Sequence, residues 1–175
     1  MRDLCIIPEC YVDTNLVEAL LATEGVNHQK GCFMVAGVME SRYADSFSVG
    51  VIDFDKKRPK YLNDFAEVAS SGHLTLMKHK SRPHYLVLVK PAMDGFIMSC
   101  AEEIGADLGM YGLPTDLKAL TRETKTVTTK KDARFKRLFE DLKDASEMVL
   151  LRNVLIYLKE HRFDSKEEEM RLLFK

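Results

Sequence analysis

The chain lacks any long apolar run. Its apolar stretches, such as Cys5-Ile6-Ile7 and Val149-Leu150-Leu151, span a few residues, against the roughly 20 that a membrane-spanning helix needs, so no membrane association is expected. It also lacks an excess of charge of either sign. Lys and Arg number 26 against 27 Asp and Glu, a net charge of −1, so no global field points to nucleic acid, membrane or acidic substrates, and any basic surface must be local. The four cysteines, at 5, 10, 32 and 100, include no CxxC pair. That removes the paired spacing of a structural zinc site and leaves them as small buried hydrophobes suited to a reducing compartment. His73, His79 and His84 have no HxxxH or HExxH spacing and are assigned no chemistry. Neither GxxxxGK[ST] nor GxGxxG occurs, so P-loop nucleotide hydrolysis and dinucleotide binding are unsupported. The first apolar stretch is too short for a secretory signal and meets Glu9 at once. A cytoplasmic, soluble protein is expected.

What is present is an ordinary globular balance. The 175 residues are 46% hydrophobic and 30% charged, enough for one domain with a real core. Leu4 to Ile7 reads as a short buried strand ending at Pro8-Glu9. Leu16, Val17, Leu20 and Leu21 share a helical face that Asp13 or Thr14 would cap. A second helical pattern runs through Phe33, Val35, Val38 and Met39, and Phe47 to Ile52 reads as a central strand closing on Asp53-Phe54-Asp55. Tyr61, Phe65 and Val68, at spacings of four and three, predict an amphipathic helix up to Ser70. Residues 73–78 and 84–90 predict two strands about a Lys80–Pro83 turn, followed by a helix from Pro91 to Gly105. Residues 106–129 read as a looser connector, and the apolar stripes from Phe135 to Leu158 as C-terminal helices, with a charged tail after Phe163.

Alternating strands and helices predict an α/β fold with a small parallel sheet flanked by helices over 1–110, and a helical C-terminal extension packed on it over 111–175. In open α/β sheets the functional crevice lies at the carboxyl ends of the strands, where Glu9, Asp53 and Asp55 fall. Three carboxylates in one crevice repel unless a divalent cation or raised pKa values relieve them, and hard oxygen ligands suit Mg²⁺ or Mn²⁺. Such metals act on phosphates by neutralising charge and orienting the attacking water.

A glutamate just after the first strand, then a helix, then an apolar strand closing on Asp-x-Asp resembles the Toprim domain of topoisomerases, primases, OLD-type nucleases and small ribosomal-RNA maturases. The matching positions are Glu9 and Val49-Gly50-Val51-Ile52-Asp53-Phe54-Asp55, within residues 3–92. The resemblance implies metal held by Asp53 and Asp55, with Glu9 as general acid or base or as a further ligand, and Asp13 in a place where many members carry another acid. Cys10 and Lys56-Lys57-Arg58 stand where the family usually has glycines. Accessory domains for topoisomerase or primase chemistry would not fit in 175 residues, which leaves a stand-alone metal-dependent nuclease as the implied activity.

Charge is locally uneven. Residues 56–90 carry eight Lys or Arg and two acids, and 118–137 carry another eight against two. Lys56, Lys57 and Arg58, with His28 and Lys30 from the polar 27–31 loop, are the candidate contacts to a DNA or RNA backbone. His28 could orient a phosphate or transfer a proton. Two other readings compete. One is a catalytically silent Toprim-like module docking a protein partner through its C-terminal helices. The other is a PIN-like ribonuclease in which Asp13, within Tyr11-Val12-Asp13-Thr14-Asn15-Leu16, leads and Glu40 joins it. The Asp-x-Asp of haloacid dehalogenase phosphatases normally continues to Thr or Val where Lys57 stands here.

Overall fold

The computed structural model describes residues 4–54 and 57–175, so Asp55 and Lys56 of the expected site lie outside the described residues. Five strands, β1 (Ile6–Pro8), β2 (Ser48–Asp53), β3 (Phe65–Ser71), β4 (Leu74–His79) and β5 (His84–Val89), form one sheet in the order β1-β2-β5-β4-β3. β1, β2 and β5 are parallel, in register from Ile6 opposite Val49 and from Ser48 opposite His84. β4 then adds antiparallel to β5, and β3 antiparallel to β4. The fold is therefore α/β, as the alternating pattern implies, but the sheet is mixed rather than parallel. The link from β2 to β5 is a β-hairpin and not a helix.

The difference arises at Tyr61–Val68. The expected helix there is a 3-10 turn over Lys60–Asp64 followed by strand β3. Phe65 and Val68, three residues apart, face opposite sides as strand residues do: Phe65 joins Tyr61 and Leu62 in one core cluster and Val68 joins the cluster on the other face. Burial on both faces of the strand, which carries a register shift between Glu67 and Ala69, imitates helical spacing.

Helices cover both faces. α1 (Tyr11–Leu20), α3 (Met93–Ile104), α5 (Ala133–Leu142) and α6 (Ser146–His161) bury one sheet face, where Val12, Leu16, Phe96, Phe135, Phe139 and Leu155 meet Val49, Val51, Val87 and Val89. Leu120 of α4 (Leu117–Thr124) and Met170 of α7 (Glu167–Leu173) join the same core. Helix α2 (Cys32–Ser41) and the 3-10 turn cover the opposite face, with Val35, Met39, Tyr61 and Leu62 against Ile7, Ile52, Leu86 and Leu88. Gly50 makes that approach possible. A Cβ there would lie 2.6 Å from Leu86 Cδ2 and 3.0 Å from Val35 Cγ1.

The C-terminal apolar stripes are thus spent on the protein's own core, in one cluster with β1 and β2. The connector is also more ordered than its sequence suggests. It holds 3-10 turns at Leu108–Tyr111 and Val127–Lys131 and helix α4, which Asp116 caps by accepting from Lys118 N and Ala119 N. Arg134 fastens it, donating to the Gly112 carbonyl at 2.9 Å, to Asp132 and to Glu123. Among the described residues no helix is long and apolar enough to cross a membrane.

Candidate functional site

The register of the three parallel strands brings their carboxyl ends to one level, since Pro8 lies opposite Val51 and Asp53 opposite Val89. Glu9 continues β1 by donating its N–H to the Val51 carbonyl. Its buried side chain bridges two elements: Oε1 accepts from Cys32 N at 3.0 Å and Oε2 from Asp53 N at 2.9 Å. Cys32 is the first residue of α2, where unpaired N–H groups and the positive end of the helix favour a carboxylate. Glu9 therefore braces the end of β2 to the start of α2, with both oxygens engaged.

Asp53, the last residue of β2, likewise meets a helix start. Its Oδ1 accepts from Met93 N, the first residue of α3, at 2.9 Å. Burial, then the charges of Asp13, Glu9 and Asp94, push the Asp53 carboxyl up to about 8, opposed by the bond from Met93. Asp13 does not begin α1, as the capping expectation had it, but sits in its first turn; the residue before the helix is Cys10. Asp13 closes a capping box, accepting from Cys10 N at 3.2 Å and Cys10 Sγ at 2.8 Å. Burial raises its pKa to about 7; the Cys10 bonds hold it down, while Glu9 and Asp94 push it up. The Cys10 thiol, buried beside Asp13 and Asp53, is pushed far up and stays protonated.

The fourth member is Asp94, absent from the sequence reading. It is buried in the first turn of α3, and its Oδ1 accepts from Thr124 Oγ1 at 2.7 Å. The signal that could have found it is its place just beyond β5, the third strand of the parallel set. Among the described residues, Asp13, Asp53 and Asp94 have no Lys or Arg partner. Nor do any three His, Cys, Asp or Glu side chains among the described residues form a group that could hold a metal ion as they stand. Glu9 and Asp13 hold backbone and thiol donors instead.

No protein-family model, curated protein or solved structure matches the chain. The Toprim resemblance accordingly rests on the sequence alone, on Glu9 and the Val49 to Asp55 segment.

The expected basic residues divide. Lys30 and Lys57 line an open groove of about 770 Å³ beside Glu9, together with Phe33 and Phe54. Arg58 lies over the Phe54 ring, 4.7 Å from its centroid, and Lys90 reaches the same ring at 5.2 Å. His28 packs away from this groove's lining. It hydrogen-bonds Thr14 Oγ1 through Nδ1 at 2.9 Å and stacks on Tyr11, ring centroids 4.6 Å apart. Burial and then Lys130 lower its pKa, so it is neutral near pH 7. Tyr11–Leu16 lies in α1 rather than on a strand. Glu40 is exposed, eight residues along α2 from Cys32, about 12 Å down the helix axis, where its carbonyl accepts from Arg82. The structure does not bring Glu40 to the acidic cluster.

Proposed function

We propose that the protein is a Mg²⁺- or Mn²⁺-dependent phosphodiester hydrolase acting on nucleic acid at the Glu9–Asp13–Asp53–Asp94 cluster. The observation that carries this reading is the convergence of four acids from the ends of three neighbouring parallel strands, with no basic partner to Asp13, Asp53 or Asp94 among the described residues. Leaving buried carboxyls uncompensated is costly to a fold. Such costs concentrate where function requires them.

The donor chemistry fits a hard cation. The acids offer oxygen only, and burial with neighbouring carboxylates holds Asp13 and Asp53 above the usual carboxylate range, which a bound cation would relieve. Asp53 and Asp94, each of which shows one oxygen in a hydrogen bond, would hold the ion, although with Asp13 they do not form a ligand group as they stand. A bound divalent cation would supply charge neutralisation at the phosphate and a more acidic water. The protein's own residues do the rest. Glu9 fixes the distance between β2 and α2, the helix starts at Met93 and Cys32 hold their carboxylates in place, and Lys30 and Lys57 offer positive charge to the backbone of the substrate.

Calorimetric titration with Mg²⁺ and Mn²⁺, beside cleavage assays on DNA and RNA, tests this. Wild type is expected to bind metal and cleave, and Asp53→Asn to lose both. Undiminished cleavage by Asp53→Asn, or wild type that binds neither metal, overturns it.

A further inference from the structure

The two phenylalanines of the groove stand out because apolar rings are exposed where the sequence around them is basic. Phe33 is 59% and Phe54 41% exposed, although each adjoins a buried or half-buried residue that is firmly held. Phe33 follows Cys32 and Phe54 follows Asp53, and those are the two residues whose N–H groups Glu9 accepts. The same carboxylate that organises the acidic cluster therefore sets both rings at its mouth. Both line the groove with Lys30, Lys57 and Glu9. The Phe54 ring already carries two cations, Arg58 and Lys90. Phe33 makes no ring contact among the described residues.

A free aromatic face beside four cations has a specific chemical complement: a flat π-system attached to a negatively charged chain. Nucleobases inside a duplex already stack on their neighbours and have no face to offer, whereas unpaired bases do. We infer that the groove binds an unpaired nucleotide of single-stranded nucleic acid, its base stacked on Phe33 and its backbone drawn by Lys30, Lys57 and Arg58. This substrate class rests on the reading of the adjoining acidic cluster as a nucleic-acid site. It adds that the strand is single or locally opened where it enters.

Fluorescence anisotropy of labelled single-stranded and duplex oligonucleotides, with the full chain and a chelator so that no cleavage intrudes, reads the platform directly. Phe33 is exposed, so Phe33→Ala leaves the core untouched. It is expected to weaken single-strand binding by about 5-fold to about 100-fold, the range for losing one stacked base. Phe33→Trp is expected to keep it. Lys30→Ala is expected to weaken single strand and duplex alike and to flatten the salt dependence. Single-strand affinity unchanged in Phe33→Ala, or an equal loss on duplex, overturns the inference; in the first case the exposed rings belong to a protein contact. If cleavage depends on Asp53 while Phe33→Ala binds as wild type, the platform fails and the hydrolase stands. If binding depends on Phe33 while wild type cleaves nothing with either metal, the platform stands and the hydrolase fails.

Discussion

Asp53→Asn should make the protein more stable, and by an amount that depends on pH. Asp53 accepts one hydrogen bond, from Met93 N to Oδ1. An asparagine retains that oxygen and replaces the other with an N–H₂ that can donate towards neighbouring acids, so the substitution removes charge without removing the bond. In the folded protein the carboxyl rises from 3.8 to about 8. A group whose folded pKa is raised contributes stability that is fully present below its unfolded pKa and is lost as pH climbs through the folded value. Wild type therefore loses stability between about pH 4 and pH 8, and Asp13, raised to about 7, adds to the loss over the same window. At about 1.4 kcal/mol per pH unit the Asp53 contribution has a ceiling of about 6 kcal/mol. Side-chain relaxation and water entry reduce this, and about 2 kcal/mol is expected to be realised. For a chain of this size that is a rise in Tm of about 4 to 8 °C. Thermal denaturation followed by circular dichroism at pH 4, 6, 8 and 9 is the assay. Asp53→Asn and wild type should coincide near pH 4, diverge up to about pH 8 and run parallel beyond. A variant no more stable than wild type at pH 9, or a gap that does not widen with pH, would refute the electrostatic account of the cluster.

Glu9→Gln bears on the brace. A glutamine places its donor N–H₂ where one carboxylate oxygen accepted from Cys32 N or Asp53 N, so one buried N–H loses its partner at a cost of about 1 to 3 kcal/mol. Urea denaturation at neutral pH measures it, and an unchanged midpoint would show that the bridge carries no energy. Gly50→Ala drives a methyl into Leu86, Val35 and Met39, all fully buried, and is expected to cost about 1 to 3 kcal/mol by overpacking. The same denaturation series checks this, with a midpoint equal to wild type counting against the close approach of α2 to β2.

The parts of the fold that were legible are those where one periodicity held over a whole element. Helices α5 and α6 show apolar residues at helical spacing throughout, and β2 and β5 are near-continuous apolar runs, so their types follow directly from sequence. The strand β3 was hidden because Tyr61 of the preceding 3-10 turn, Phe65 on one sheet face and Val68 on the other together show the spacing of a helix. The connector was hidden because 3-10 turns of four or five residues and a helix of eight are too short for any period to register. In the candidate site, Glu9, Asp13 and Asp53 could be named because each lies near the end of a recognisable strand. Asp94 could not, since within an amphipathic helix it reads as one more polar position; only the parallel pairing of β2 with β5 brings it beside Asp53. The sequence also suggested Asp13 as a helix cap or a site acid; in the structure the cap position is Cys10, and Asp13 accepts its N–H from within the first turn of α1.

Asn15, buried in α1, donates through Nδ2 to the Thr129 carbonyl at 2.7 Å and to the Asp132 carbonyl at 3.2 Å. Those partners lie 114 and 117 residues further along the chain. During synthesis at about 5 to 20 residues per second, the first helix waits on the order of 6 to 20 seconds before the segment that satisfies it has been made. Until then Leu16 and Val12 lack Phe135 and Phe139. Of the hydrogen bonds described for the acidic cluster, the one from Thr124 to Asp94 also comes from this later part of the chain. A ribosome-bound chain stalled before residue 132 is a natural object for watching Asn15 acquire its partners.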